Sequence, residues 1–156
     1  MQHTLEIESG VTINYAVDDY TDPWLTPETI VLVHGFCESG AAWRPWVPLL
    51  ARQYRVLRAD QRGFGRSTAM PENYAWSFDT LADDLARVIA ATGGAPVHLI
   101  GAKIGATVSA HFAATHPALL KTLTLVGLPV KGPKSRADWL KYARDNGVRA
   151  WARLTM

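Results

Sequence analysis

The sequence predicts a single α/β domain with a mostly parallel sheet flanked by helices. Three observations predict it. Apolar stretches of strand length alternate with amphipathic stretches of helix length, in the order hairpin and then β-α-β-α-β-α-β. The segment "IVLV" (30–33) is wholly apolar, as in a strand covered on both faces. Three strands run into glycine-bearing turns, at 34–40, 60–67 and 101–105. Ligands of parallel sheets bind beyond the carboxyl ends of the strands, where such turns lie.

The chain opens on alternation. Leu5, Ile7, Val11, Ile13 and Tyr15 recur at period two around Ser9-Gly10, the pattern of a β-hairpin. A loop rich in Asp, Thr and Pro fills 18–29, and the apolar strand follows. Residues 41–53 read as helical, with Pro45 and Pro48 restricting where the helix begins. "RVLRA" (55–59) is a shorter strand. Ser77 is placed to cap a helix whose Leu81, Leu85, Val88 and Ile89 share one face, and Gly93-Gly94 end it. "VHLI" (97–100) is the next strand, 104–115 the next helix, and 120–127 the last strand. The tail from residue 135 reads as helical and amphipathic, with Trp139, Leu140 and Ala143 on one side and basic groups on the other.

Composition narrows the function. With 156 residues the chain forms one domain, 48% apolar and 19% charged, and its net charge is only +2. A chain of this size buries roughly 70% of its unfolded surface. The basic residues are scattered, and Lys131, Lys134 and Arg136 read as a solvated loop. The expected partner is therefore a small-molecule substrate, with no nucleic acid and no membrane. Cys37 is the sole cysteine, so no internal disulfide forms, and it reads as a buried, inert thiol. "MQHTLEIESG" lacks the apolar core of a signal peptide, which leads to the expectation of a cytoplasmic protein.

Three turns carry the chemistry. In "VLVHGFCESG" the His34-Gly35 pair bends the backbone and frees the Phe36 N–H to donate, as an oxyanion stabiliser would. His34, Gly35, Cys37 and Trp43 are the candidate substrate-binding residues around it. In "LRADQRGFGRST" Asp60 and Arg62 read as structural, fixing the loop through charge-assisted hydrogen bonds. In "VHLIGAKIGATV" a strand meets a helix at Gly101-Ala102-Lys103-Ile104-Gly105. That is the frame of a G-x-S-x-G nucleophile elbow with lysine at its centre. It matches neither a phosphate loop nor a dinucleotide fingerprint, so no cofactor is expected. No H-E-x-x-H and no cysteine cluster marks a metal site.

Together, "HGF" after an apolar strand, "D-x-R-G-F-G-x-S" after the next, the glycine-framed turn and "FAATHPALLKTLTLVG" resemble the α/β-hydrolase superfamily. The likeness is strongest to its esterase, lactonase and haloperoxidase-like branch and covers residues 5 to about 130. The resemblance implies an oxyanion hole from the N–H groups of Phe36 and Ile104, a nucleophile at position 103 and a helical cap beginning near residue 133. On that basis 1–130 is the amino-terminal part of a hydrolase core and 131–156 the start of the cap. The fold is thus read as α/β-hydrolase type, truncated at the start of its cap. Two departures stand out. Lys103 replaces the nucleophile, and His3, His34, His98, His111 and His116 all precede the place where the family keeps its base. No Ser-His-Asp triad can be assembled.

Lysine at such a turn has two chemical roles. As a neutral amine it forms a Schiff base with a ketone or aldehyde. As an ammonium it holds a carboxylate or enolate. A dead turn on a ligand- or protein-binding scaffold is the alternative. The open side of the strand at 120–127 calls for a covering partner, either a second copy or a missing carboxyl-terminal half.

Overall fold

The computed structural model describes residues 2–129 and 136–155. The strands are β1 (Gln2–Glu8), β2 (Val11–Asp18), β3 (Thr29–Val33), β4 (Arg55–Ala59), β5 (Val97–Ala102) and β6 (Leu120–Val126). They form one sheet in the order β1-β2-β4-β3-β5-β6. The hairpin β1–β2 is antiparallel and joins β4 antiparallel, while β4, β3, β5 and β6 run parallel to one another. The α/β architecture and its mostly parallel sheet are thus as the sequence predicts.

Alternation along β3 explains the layers. Val31 and Val33 face one side, where α2 (Phe78–Ala91) and α3 (Ile104–Thr115) bury them with Leu57, Leu85, Val88, Leu99 and Phe112. Ile30 and Leu32 face the other side and pack with Trp43, Val47, Ala51 and Val56. Ser77 caps α2 by accepting the Asp79 N–H at 3.1 Å.

One expectation about helices is corrected. The 41–53 stretch is not one α-helix. It is a 3-10 helix over Gly40–Trp46 followed by the four-residue α1 (Val47–Leu50), because Pro45 and Pro48 each remove a backbone donor. The described tail is helical, as expected. It breaks at Gly147, where φ is +84°, into α4 (Arg136–Asn146) and α5 (Val148–Thr155). Lys131, Lys134 and the expected start of a cap near residue 133 lie outside the described residues, as do the side chains of Trp139 and Leu140. No described helix is long and apolar enough to cross a membrane.

β6 lies at the sheet edge and most of its residues are exposed. An open edge of this kind templates further pairing. We therefore expect concentration-dependent association of this chain in sedimentation velocity; a single monomeric boundary at all concentrations, with a cooperative melt, contradicts it. Phe112 is fully buried under the sheet. Phe112→Ala should cost about 3–5 kcal/mol, read as a shift of the urea midpoint.

Candidate functional site

Three strand ends converge at the carboxyl edge of the sheet. After β5 the chain turns at Lys103 and enters α3 at once. Lys103 has φ 56° and ψ −123°, a conformation that costs a non-glycine residue about 1–3 kcal/mol. The flanking glycines allow it. A Cβ at Gly101 would strike the Gly105 carbonyl, Ser109 Oγ and, at 2.8 Å, Ala106 Cα. A Cβ at Gly105 would strike the carbonyls of Val33 and His34, the former at 2.6 Å. The β5–α3 turn therefore packs directly on the end of β3. The Lys103 N–H donates to the Val126 carbonyl at 2.9 Å, tying the turn to β6.

The second turn, His34 to Ser39, is held from within. His34 is completely buried. Its Nε2 accepts the Gln61 backbone N–H at 2.9 Å, and its Nδ1 stands 2.8 Å from the Gly35 carbonyl. A backbone N–H only donates and a carbonyl only accepts, so the ring is the neutral Nδ1–H tautomer. Burial pushes the His34 imidazole below its ordinary value, against the opposing pulls of the Gly35 carbonyl, Asp60 and Glu38. Gln61 also donates from Nε2 to the His34 carbonyl at 2.8 Å.

The third turn is organised by Asp60, which is buried. Its Oδ1 accepts the Gly40 N–H at 2.7 Å, and its Oδ2 accepts the Arg66 N–H at 2.9 Å and Asn14 Nδ2 at 3.1 Å. Arg62, also buried, grips Asp84 of α2 through Nε and Nη2, both at 2.8 Å, and pairs with Glu8. Its bond to Asp84 outweighs burial and holds the guanidinium more firmly charged than usual. Asp60 and Arg62 thus have the structural role expected of them.

The Lys103 side chain reaches across to the second turn. Its ammonium pairs with Glu38 Oε1, and the other Glu38 oxygen accepts the Gly35 N–H at 2.8 Å. The absence of a side chain at Gly35 makes room, since a Cβ there would lie 2.8 Å from Lys103 Cδ. Partial burial pushes the Glu38 carboxyl up, but Lys103 and the Gly35 N–H outweigh it, so the net direction is downward. The Lys103 side chain remains 66% exposed. The amide of Ile104 is the first of α3, and such amides have no acceptor within their own helix. Neither it nor the Phe36 amide has a hydrogen-bond acceptor among the described residues. The cluster therefore offers one ammonium, two free N–H groups and one carboxylate.

The remaining candidates fall elsewhere. The Phe36 ring is 59% exposed and meets Phe64 and Trp151 edge-on, with centroids at 5.8 and 6.3 Å. Trp43 is only 8% exposed and sits in the core beneath the 3-10 helix with Ile30 and Leu32, not beside Lys103. Cys37 corrects an expectation: it is exposed, not buried, and takes φ +58° at the tip of its turn. Burial of the sulfur, then Glu38, still raise its thiol above the ordinary value, so it is not an activated thiolate. His98 bonds Thr122 and Glu28, His111 pairs with Asp79, His116 with Asp83, and His3 stacks on Tyr15. None reaches Lys103. Glu38 is the residue that sequence reasoning passed over. Its only signal was an acid four residues after His34 in a turn already suspected.

Comparison with known proteins decides the family. The alpha/beta hydrolase fold family model matches residues 28–152. The chain belongs to the α/β-hydrolase family. Among curated relatives of this α/β-hydrolase, a putative carbamate hydrolase RutD from Pantoea ananatis is 35% identical over 100 residues, 64% of this chain and 36% of that protein. Epoxide hydrolase B from Mycobacterium tuberculosis is 36% identical over 104 residues, 66% of this chain and 29% of that protein. The enol-lactonase from Burkholderia xenovorans superposes with a TM-score of 0.81 at 24% identity, covering 94% of this chain and 55% of that one. MGS-M2, from a deep-sea metagenome library, reaches 0.85 at 20% identity, with 98% and 55% covered. These structural likenesses speak for the fold. The chain spans about a third of the two curated relatives and about half of the two solved structures.

The buried His34 gives a pH prediction. A histidine held neutral in the fold contributes stability that is complete above the unfolded value near 6.5 and is lost as pH falls below it toward the folded value. Urea midpoints of the native chain should therefore drop between neutral and mildly acidic pH by more than those of His34→Gln. Equal drops would show that His34 does not carry the effect.

Proposed function

We propose that this α/β-hydrolase-fold protein acts on a small carbonyl-containing substrate that carries or develops negative charge on oxygen, an enolate or a carboxylate. Lys103 serves as a fixed positive charge, and the Phe36 and Ile104 N–H groups serve as oxyanion donors on a turn of nucleophile-elbow geometry. One observation carries the reading. The Lys103 ammonium already holds a carboxylate, that of Glu38, beside the two free amides. That contact commits the side-chain nitrogen to a carboxylate as hydrogen-bond donor, the mode in which it would hold an anionic substrate. The hydrolase names of the curated relatives agree with carbonyl or ester-like substrates in general. Ordinary serine-type hydrolysis is not part of the reading, because a lysine stands at the turn and no described histidine reaches it. The exposed, unpaired Cys37 suits a reducing compartment, which fits a cytoplasmic location.

The test uses oxalate, a planar dianion that mimics the enolate of a 2-oxo acid. Oxalate should shift the Phe36 and Ile104 amide resonances, and Lys103→Met should weaken its binding about tenfold or more. Binding unchanged by Lys103→Met contradicts the reading. Borohydride trapping of pyruvate selectively on Lys103 would contradict it in favour of the amine nucleophile.

A further inference from the structure

A second concavity lies away from the Lys103 turn. It is an open cleft of about 630 Å³ lined by Asp18, Tyr20, Arg44, Val47, Pro48, Arg52 and Arg58. In sequence its three arginines look scattered; the fold gathers them. Arg44 lies in the 3-10 helix before α1 and Arg52 just after α1, and both line the cleft with Pro48. Neither side chain has a hydrogen-bond or ion-pair partner among the described residues. Tyr20 is pinned at the rim by its N–H, which donates to the Ala51 carbonyl at 2.8 Å, while its side chain stays exposed.

The floor of the cleft is Arg58, a buried guanidinium on β4. Its Nε and Nη2 both donate to Asp18 Oδ2, at 2.8 and 2.6 Å, and its Nη1 donates to the Gly40 carbonyl at 2.9 Å. A guanidinium has five N–H donors, so three such bonds leave two unused. Asp18 neutralises Arg58 and spends one oxygen doing so. Arg44 and Arg52 then leave the cleft with two uncompensated positive charges. Two guanidinium forks above a third with spare donors suit a tetrahedral anion with several oxygens. The volume exceeds that of a bare phosphate and lies in the range of small-molecule sites. The exposed Tyr20 ring offers a surface for an organic group.

We propose that this cleft is a second binding site, for a phosphorylated small molecule, with Arg44 and Arg52 holding the phosphoryl group over Arg58 and Tyr20 contacting the organic part. It stands apart from the Lys103 cluster and does not depend on the reading of that cluster.

Calorimetry at about 0.15 M NaCl, where surface attraction is already screened, tests it with inorganic phosphate and phenyl phosphate as probes. Saturable one-to-one binding of both is expected, tighter for phenyl phosphate. The double variant Arg44→Gln, Arg52→Gln should weaken both by about tenfold or more, its fold checked by an unchanged melt. Tyr20→Ala should weaken phenyl phosphate alone. Equal affinity for the two probes would reduce the site to one for free phosphate and overturn the organic part. Absence of saturation, or affinity untouched by the double variant, would overturn the site.

Discussion

The rest of the site depends on the carboxylate of Asp60. It sits at the end of β4, in the middle of the sheet, and it is buried with three donors: two backbone amides from two different loops and one side-chain amide from β2. A buried carboxylate is costly unless such donors satisfy it. That cost is what makes it an organiser, because any movement of the 39–41 or 65–67 segments strips a donor from a carboxylate that is almost wholly buried. The neighbouring backbone extends the same control. Gln61 N–H holds the His34 ring, and Ser67 Oγ donates to the Asp60 carbonyl at 2.6 Å. The turn that carries Phe36 and Glu38 is therefore positioned from below by Asp60 and Gln61 at the end of β4, in addition to its own contacts.

The Lys103 turn is the other fixed point, and its constraint is steric. Gly101 and Gly105 bring a helix end against two strand ends, and this forces the residue between them into an unfavourable conformation. This turn presents its side chain outward, 66% exposed. Here the side chain presented is a cation, and the loop opposite supplies its counter-charge. The pairing of Lys103 with Glu38 links the Lys103 turn to the His34–Ser39 turn. In the proposed role the anion would meet groups already set in place, so little reorganisation would accompany binding.

Much of the fold was legible because local signals agreed with tertiary demands. "IVLV" could only be a strand covered on both faces, Ser77 could only begin a helix, and the glycines around Lys103 marked the closest approach of backbone to backbone. What stayed illegible depended on long-range partners. Nothing local says that Asp84, on an otherwise ordinary amphipathic helix, turns inward to meet Arg62. Trp43 looks like a pocket residue by its nearness to the His34 turn, yet the 3-10 helix rotates it into the core. Cys37 looks like a small apolar residue, yet the left-handed turn that frees the Phe36 amide also pushes the sulfur outward. Glu38 was missed for the same reason: its partner stands 65 residues away.

The measurement that reaches the centre of this account is amide hydrogen exchange on Asp60→Asn. The substitution keeps the shape and removes the charge that Gly40 and Arg66 donate to. The account predicts that the Gly40, Gln61 and Arg66 amides lose protection together while those of β3 and β5 keep theirs. Unchanged protection at all three, in a folded variant, would mean that the loops hold themselves and that Asp60 does not organise the site.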